Sequence, residues 1–98
     1  MTINKTSEGA TLALAIQGRL DTTTAPQLEA ELKSSVDGVE ELVLDFAELE
    51  YISSAGLRVL LAAQKIMSRQ GSMIVKNVNA DVMDVFELTG FADILTIQ

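Results

Sequence analysis

The first part of the chain alternates between hydrophobic and small or polar residues. Over residues 11–17, large aliphatic side chains alternate with alanines, which is the period of a β-strand with two unlike faces. Residues 2–6 allow a short strand before it, and residues 7–9 (Ser-Glu-Gly) are typical of a tight turn. The pattern therefore predicts an antiparallel hairpin at the start of the chain.

The rest of the chain alternates between helical and strand-like periods. Residues 39–46 form the strongest strand pattern, and their apolar centre predicts a central strand covered by helices on both faces. The further elements are a helix from a Thr24–Gln27 capping box to Asp37-Gly38, a connection over 47–51, a helix over 54–69 stopped at Gly71, a strand over 72–76, a helix from Asn79 to Gly90 and a strand over 94–97. The predicted core of the C-terminal part is Phe86, Leu88, Phe91 and Leu95.

This order of elements, ββαβαβαβ, predicts an α/β fold. Strands that alternate with helices form parallel pairs joined by right-handed crossovers, and the hairpin adds one antiparallel pair. We therefore expect a single domain over residues 1–98, with helices packed on a mixed, mostly parallel sheet.

Composition excludes several classes of function. The 98 residues carry 14 acidic and 7 basic side chains, and the resulting net charge of −7 disfavours nucleic acid and acidic membrane surfaces. The absence of His and Cys removes the usual zinc ligands, general bases and thiolate nucleophiles. We expect no enzymatic activity, no metal and no cofactor. No apolar run approaches the ~20 residues of a membrane span and no secretory signal is present, so we expect a cytoplasmic protein without membrane insertion.

Two adjacent hydroxyl groups, those of Ser53 and Ser54, stand at the start of the longest predicted helix. Capping alone would explain them, because serine is a preferred helix N-cap. Phosphorylation is the other explanation, because a helix N-terminus presents free N–H groups and a positive dipole to an added phosphate. Gly56 would then let the backbone of a partner approach the hydroxyl, or it is only a tolerated helical glycine.

A second polar cluster follows the predicted hairpin, in a turn that we predict over residues 18–24. Asp21 precedes Thr22, Thr23 and Thr24, at the end of the sheet where α/β proteins place functional residues. Turn and capping chemistry is one explanation, and an acidic rim that contacts a protein partner is the other. Asp45 ends the strong strand and could hold Mg²⁺ together with Asp21, but the chain shows no fuller set of ligands.

Three stretches carry a family resemblance. They are residues 18–28 (GRLDTTTAPQL), residues 42–46 with 51–57 (LVLDF and YISSAGL), and residues 85–95 (VFELTGFADIL). In this order and spacing they resemble the STAS domain, and specifically the stand-alone bacterial anti-sigma factor antagonists. The resemblance covers almost the whole chain and implies a STAS-type α/β fold.

The resemblance implies a partner-switching function. An unphosphorylated antagonist of this family binds an anti-sigma factor that is also a serine kinase, and thereby frees a sigma factor. Phosphorylation ends the binding, and a serine phosphatase resets the antagonist. The family motif Asp-Ser-Ser/Thr-Gly-Leu aligns with Ser53-Ser54-Ala55-Gly56-Leu57. It implies Ser54 as the phosphoacceptor, with Ser53 in the place of the aspartate.

The predicted site combines this motif with the Asp21 cluster. The predicted partner-binding residues are Asp21, Thr22, Thr23, Ser53, Ser54, Ala55, Gly56, Leu57 and Arg58. Ser53 is an alternative phosphoacceptor, because it adds a second hydroxyl beside the first. The missing aspartate also leaves a second function open, in which the domain is a constitutive adaptor subunit of a lipid-transport or signalling complex without phospho-regulation.

Overall fold

The computed structural model describes residues 1–98 as an α/β domain with one mixed sheet. Its strands are β1 (Thr2–Glu8), β2 (Thr11–Leu20), β3 (Glu41–Asp45), β4 (Leu49–Ile52) and β5 (Ser72–Lys76). Its helices are α1 (Ala25–Ser35), α2 (Ser54–Gln70), α3 (Ala80–Thr89) and α4 (Phe91–Ile94). The predicted fold class is confirmed, although the predicted order lacks β4 and ends in a strand where the structure has α4. None of the helices has both the length and the apolar character needed to cross a membrane.

The long strand β2 pairs with three other strands. β1 pairs with it antiparallel, and β3 and then β5 continue the sheet as parallel strands in the order β1-β2-β3-β5. β3 pairs with β2 only over residues 11–15, and β4 pairs with it, also parallel, over residues 18–20. The last three residues of β2 are therefore held by a strand that lies outside the main path of the sheet.

The pattern of the sequence predicts neither β4 nor the last three residues of β2. It puts residues 18–20 in a turn and residues 47–51 in a connection, whereas residues 18–20 and 49–51 belong to strands and, of the predicted connection, only residues 47–48 lie between β3 and β4. Gly18 breaks the alternation and marks a register irregularity in the pairing. In β4 the two buried residues, Leu49 and Ile52, flank two exposed ones, so four residues show no strand period.

The core lies on one face of the sheet. Leu12, Leu14 and Ile16 of β2 are buried, whereas the alanines between them keep partial exposure, and β3 and β5 show the same alternation. The expectation of a central strand covered on both faces is therefore wrong. Both crossovers, β2–α1–β3 and β3–α2–β5, advance in the same direction along the sheet, so right-handed connections put α1 and α2 on one face.

Aliphatic side chains from the helices complete this core. The predicted stripe of α1 is buried and consists of Ala25, Leu28, Leu32 and Val36. Together with the inner residues of the strands and of α2 and α3, these side chains form one cluster of 24 buried residues. Burial of apolar surface at about 25 cal/mol per Å² is the main stabilising contribution to such a fold.

The C-terminal segment differs from the predicted strand. Residues 91–94 form α4, and Ile97 reaches the sheet through an isolated parallel bridge to Val75. Gly90 has a left-handed backbone, with φ 82°, and this conformation ends α3 and lets the chain turn directly into α4.

Leu88 does not belong to the core of this segment, contrary to the prediction. Phe86 and Leu95 are buried and Phe91 is half-buried, as predicted, but Leu88 is 88% exposed. Residues two apart on a helix point in different directions, so Leu88 cannot share the inward face of Phe86.

The cap predicted for α3 is confirmed, whereas the one predicted for α1 is wrong. Asn79 caps α3, because its side-chain oxygen accepts a hydrogen bond from the N–H of Val82 at 2.8 Å. The Thr24–Gln27 capping box is absent. Thr24 has helical dihedral angles, and its hydroxyl donates instead to the carbonyl oxygen of Arg19 at 2.7 Å.

Gly56 brings α2 close to the ends of β2 and β4. A Cβ atom at this position would lie 2.7 Å from Cγ of Leu20 and 2.9 Å from Cγ1 of Ile52. Carbon atoms pack at about 3.5–4.0 Å, so a side chain larger than hydrogen would push the helix away from the strands.

We predict that Gly56→Ala lowers the free energy of unfolding by about 1–2 kcal/mol, because overpacking outweighs the higher helix propensity of alanine. Urea unfolding measures the change. Ala62→Gly, at an exposed position of the same helix, is the matched control and should cost about 1 kcal/mol through propensity alone. A Gly56→Ala variant as stable as the parent chain would contradict this account of the packing.

Candidate functional site

Parallel pairing of β2 with β4 brings the two polar clusters together. Arg19 is paired with Tyr51, and the N–H of Ser53 continues the ladder by donating to the carbonyl oxygen of Leu20 at 2.9 Å. Both strands end at this point. The turn over residues 21–24 and the start of α2 are therefore neighbours, although about 30 residues separate them in the chain.

The turn is built around the carboxylate of Asp21. Its Oδ1 accepts hydrogen bonds from the N–H groups of Thr23 at 3.0 Å and Thr24 at 3.1 Å. The hydroxyl oxygen of Thr24 accepts in return from the N–H of Asp21 at 2.9 Å. The N–H of Thr24 contributes most to lowering the pKa of Asp21 below its usual range. The hydroxyl of Thr24, the N–H of Thr23 and the charge of Arg19 lower it further, and desolvation opposes them.

Arg19 links this turn to β4. Its Nε lies 3.7 Å from Oδ2 of Asp21, and its guanidinium carbon lies 4.2 Å from the centroid of the Tyr51 ring. The contact fixes the side chain more than it stabilises the fold, because exposed ion pairs contribute only about 0–1 kcal/mol. Sequence reasoning assigned neither Arg19 nor Tyr51 a role in the site, since their contact depends on the β2–β4 pairing.

Ser53 and Ser54 occupy the first two positions of α2, as N-cap and first helical residue. The carbonyl oxygen of Ser53 accepts the first intrahelical hydrogen bond, from the N–H of Leu57 at 3.0 Å. Its hydroxyl makes no capping bond and is buried without a hydrogen-bond partner, so side-chain capping by Ser53 is wrong. Ser54 is exposed, and the N–H groups of residues 54–56 precede the first intrahelical bond.

The predicted partner-binding residues do not all face outward. Gly56 and Leu57 are buried, and Gly56 faces Leu20 and Ile52. The expectation that Gly56 opens the hydroxyl to a partner's backbone is therefore wrong. The exposed members of the predicted set are Thr22, Thr23, Ser54 and Arg58, and the partly exposed members are Asp21, Ser53 and Ala55.

A shallow groove separates the N-terminal parts of α1 and α2. Its volume is about 190 Å³, and three predicted residues line it, namely Thr22, Ala55 and Arg58. Its other lining residues are Ala25, Pro26, Glu29 and Val59. The predicted residues of the turn and of the helix thus meet at this groove. We call the area around it the turn–helix surface and define it as Asp21, Thr22, Thr23, Ser54, Ala55 and Arg58.

Asp45 lies away from this surface. The register pairs Asp45 with Ala15, and Asp21 follows six residues later, or about 20 Å along an extended strand. The carboxylate of Asp45 accepts hydrogen bonds from the side-chain amide of Asn77 and from the N–H of Ala47, both at 3.0 Å. A Mg²⁺ site shared by Asp21 and Asp45 is therefore wrong.

Comparison with known proteins assigns the family. The family model described as Mlab, STAS domain matches residues 3–96. BtrV of Bordetella bronchiseptica, a protein assigned as an anti-sigma factor antagonist, is 43% identical over 88 residues, which cover 88% of this chain and 76% of BtrV. The chain belongs to the STAS family of anti-sigma factor antagonists. The resemblance found in the three sequence stretches is thereby confirmed.

Solved structures of STAS proteins share the fold of this STAS domain. An anti-sigma factor antagonist from Mycobacterium paratuberculosis matches it with a TM-score of 0.89 at 24% identity, covering 98% of this chain and 83% of the other. The Bacillus anti-sigma factor antagonist SpoIIAA matches in its unphosphorylated form with a TM-score of 0.77 at 17% identity, over 99% of this chain and 87% of SpoIIAA. Its phosphorylated form matches with the same TM-score at 18% identity, over 99% and 91%.

The carboxylate of Asp21 gives this STAS domain a pH-dependent contribution to stability. A lowered pKa stabilises the fold above the ordinary pKa of 3.8, and the contribution is lost as the pH falls through the lowered value. We predict that Asp21→Asn is less stable than the parent chain at pH 7 and that the difference shrinks between about pH 5 and pH 2.

Urea unfolding at several pH values measures this difference. Asp37→Asn is the matched control, because Asp37 is exposed and its carboxylate makes no hydrogen bond or ion pair in the structure. A difference between Asp21→Asn and the parent chain that stays constant with pH would show that the ionised carboxylate does not hold the turn.

Proposed function

We propose that this chain is an anti-sigma factor antagonist whose binding is controlled by phosphorylation of Ser54. In its unphosphorylated state it binds an anti-sigma factor through the turn–helix surface and thereby releases a sigma factor. The observation that carries the proposal is the exposed Ser54 at the first position of α2, on the same surface as the Asp21 turn.

Physical chemistry supports a phosphate at this position. The N–H groups of residues 54–56 lie before the first intrahelical bond and can satisfy phosphate oxygens, and the helix dipole favours an anion there. The phosphate would add about −1.5 to −2 charges to a surface that already contains Asp21. An anti-sigma factor docked on this surface would have to desolvate that charge, so phosphorylation favours release.

Ser54 is a better acceptor than Ser53. The hydroxyl of Ser53 is buried, so a kinase could reach it only after the start of α2 had opened. Ser54 is exposed, and its hydroxyl needs no such change. This difference in accessibility supports Ser54 even though Ser53 replaces the aspartate that precedes the acceptor in the family motif.

The proposed kinase is the anti-sigma factor itself. It would transfer the γ-phosphoryl group of ATP to Oγ of Ser54, with ADP as the leaving group and the hydroxyl proton passing to a base of the kinase. A serine phosphatase would hydrolyse the phosphate and restore binding. The chain is thus a substrate rather than an enzyme, and the switch operates in the cytoplasm, where a sigma factor acts. SpoIIAA, which shares this fold, has a phosphorylated and an unphosphorylated form.

A constitutive adaptor is the second candidate function. The observation that favours it is Ser53, whose buried hydroxyl offers a kinase no charge where the family motif has an aspartate. In this case the turn–helix surface would bind a protein that has no kinase activity, and Ser54 would stay unmodified.

We predict that the anti-sigma factor captured by this chain transfers one phosphate to it in the presence of ATP and Mg²⁺. Intact-mass measurement followed by peptide sequencing locates the phosphate on Ser54. Ser54→Ala should abolish the modification, and Ser53→Ala, the matched control, should retain it. Modification of Ser53 instead, or a stable partner that phosphorylates neither serine, would overturn the proposal, and the latter result would favour the adaptor.

We also predict that Ser54→Asp weakens binding to the captured anti-sigma factor by about tenfold or more, since a charge at the centre of the interface is desolvated on docking. Ser54→Asn has a similar size without the charge and should stay within about threefold of the parent chain. Titration calorimetry measures both affinities. An equal loss of affinity in Ser54→Asp and Ser54→Asn would contradict this prediction, because it would show that the shape of the side chain, and not its charge, weakens binding.

A further inference from the structure

Arg58 lies one turn after Ser54 on α2 and has no ionic partner in the structure. Its side chain is exposed, and the three ion pairs of the domain are formed by Lys5, Arg19 and Lys33. Among the basic residues without an ion pair, Arg58 is the one that stands a single helical turn after Ser54.

Helix geometry directs Arg58 towards Ser54. Residues at positions i and i+4 lie on the same face with their Cβ atoms about 5–6 Å apart, and side chains tilt towards the N-terminus of a helix. Arg58 also lines the groove between α1 and α2, together with Ala55, the residue that follows Ser54. At this spacing the long Arg58 side chain can bring its guanidinium group to an oxygen attached to Oγ of Ser54.

The carboxylates of the groove and of the adjoining turn already have other partners. Glu29 of α1 lines the same groove, but its carboxylate lies 3.5 Å from Nζ of Lys33. Asp21 is held by the N–H groups of its own turn and by Arg19. Neither carboxylate forms an ion pair with Arg58, so the five N–H donors of its guanidinium group are free to bind an added anion.

We propose that Arg58 binds the phosphate on Ser54 within the same chain and thereby stabilises the phosphorylated state. This inference rests on the proposed function, because it requires a phosphate at that position. Guanidinium and phosphate form charge-assisted, bidentate hydrogen bonds. The N–H groups at the start of α2 and Arg58 together would surround the phosphate with donors.

This contact adds a second component to partner release. Without phosphate, the free guanidinium group is a cation on the turn–helix surface and can pair with an acidic side chain of the anti-sigma factor. With phosphate, the same group turns to Ser54 and is withdrawn from the partner. Phosphorylation then removes an attractive charge from the interface as well as adding a repulsive one.

The test uses chains that carry phosphoserine at position 54, incorporated during translation, so that no kinase is needed. The second pKa of the phosphate, about 6 for a free phosphoserine, is measured by ³¹P NMR titration. We expect Arg58→Gln to raise this pKa by about 0.5 relative to the Arg58 chain, since a nearby cation favours the dianion. Arg58→Lys should recover part of the difference.

Arg69→Gln is the matched control. It removes the same charge from the last turn of α2, 15 residues after Ser54, and should change the pKa by less than about 0.1 because salt screens that distance. Equal titration of the Arg58→Gln and Arg58 chains, or an equal effect of Arg69→Gln, would overturn the inference. A kinase assay that leaves Ser54 unmodified would instead refute the proposed function, and the titration would still report on Arg58 independently.

Discussion

The site depends on the parallel pairing of β4 with the far end of β2. β3 is five residues long and leaves the last part of β2 unpaired, and the chain returns to that part only because β4 follows β3 after a short connection. The last residues of β2 and β4, Leu20 and Ile52, are paired with each other, so both strands end at the same edge of the sheet. The Asp21 turn and the start of α2 are thereby held side by side by backbone hydrogen bonds, whose geometry varies less than that of exposed side chains.

Close packing at Gly56 fixes the direction in which α2 leaves this point. The helix starts against Leu20 and Ile52 without an intervening side chain, so its first turn is held at the surface of the core. Ser54 consequently faces solvent while Gly56 and Leu57 face inward. The same rotation of the helix places Arg58 on the outer face, one turn beyond Ser54. Backbone packing, rather than polar contacts, therefore orients the exposed hydroxyl.

An element could be predicted from the sequence when its hydrophobic pattern extends over several periods. β2 and the two long helices present several periods of hydrophobic residues, so their existence and type could be predicted. β4 has two buried residues in four, and the predicted C-terminal strand reaches the sheet only at Ile97. Such segments carry too few positions for a period, and their conformation is decided by the neighbours that they contact. Leu88 lies in a helix that could be predicted, but it is exposed, because the hydrophobicity of a single residue does not determine which face of α3 it occupies.

The sequence by itself determined the α/β class, the apolar stripes of the helices, the absence of His and Cys chemistry, and a pair of hydroxyls at a helix start. These properties depend on residue type and local spacing. Only the tertiary structure decided that Asp21 lies beside Ser54 and not beside Asp45, that the hydroxyl of Ser53 is buried while Ser54 is exposed, and that Gly56 serves packing. Each of these depends on strand register or helix rotation, which are set by contacts between residues far apart in the chain.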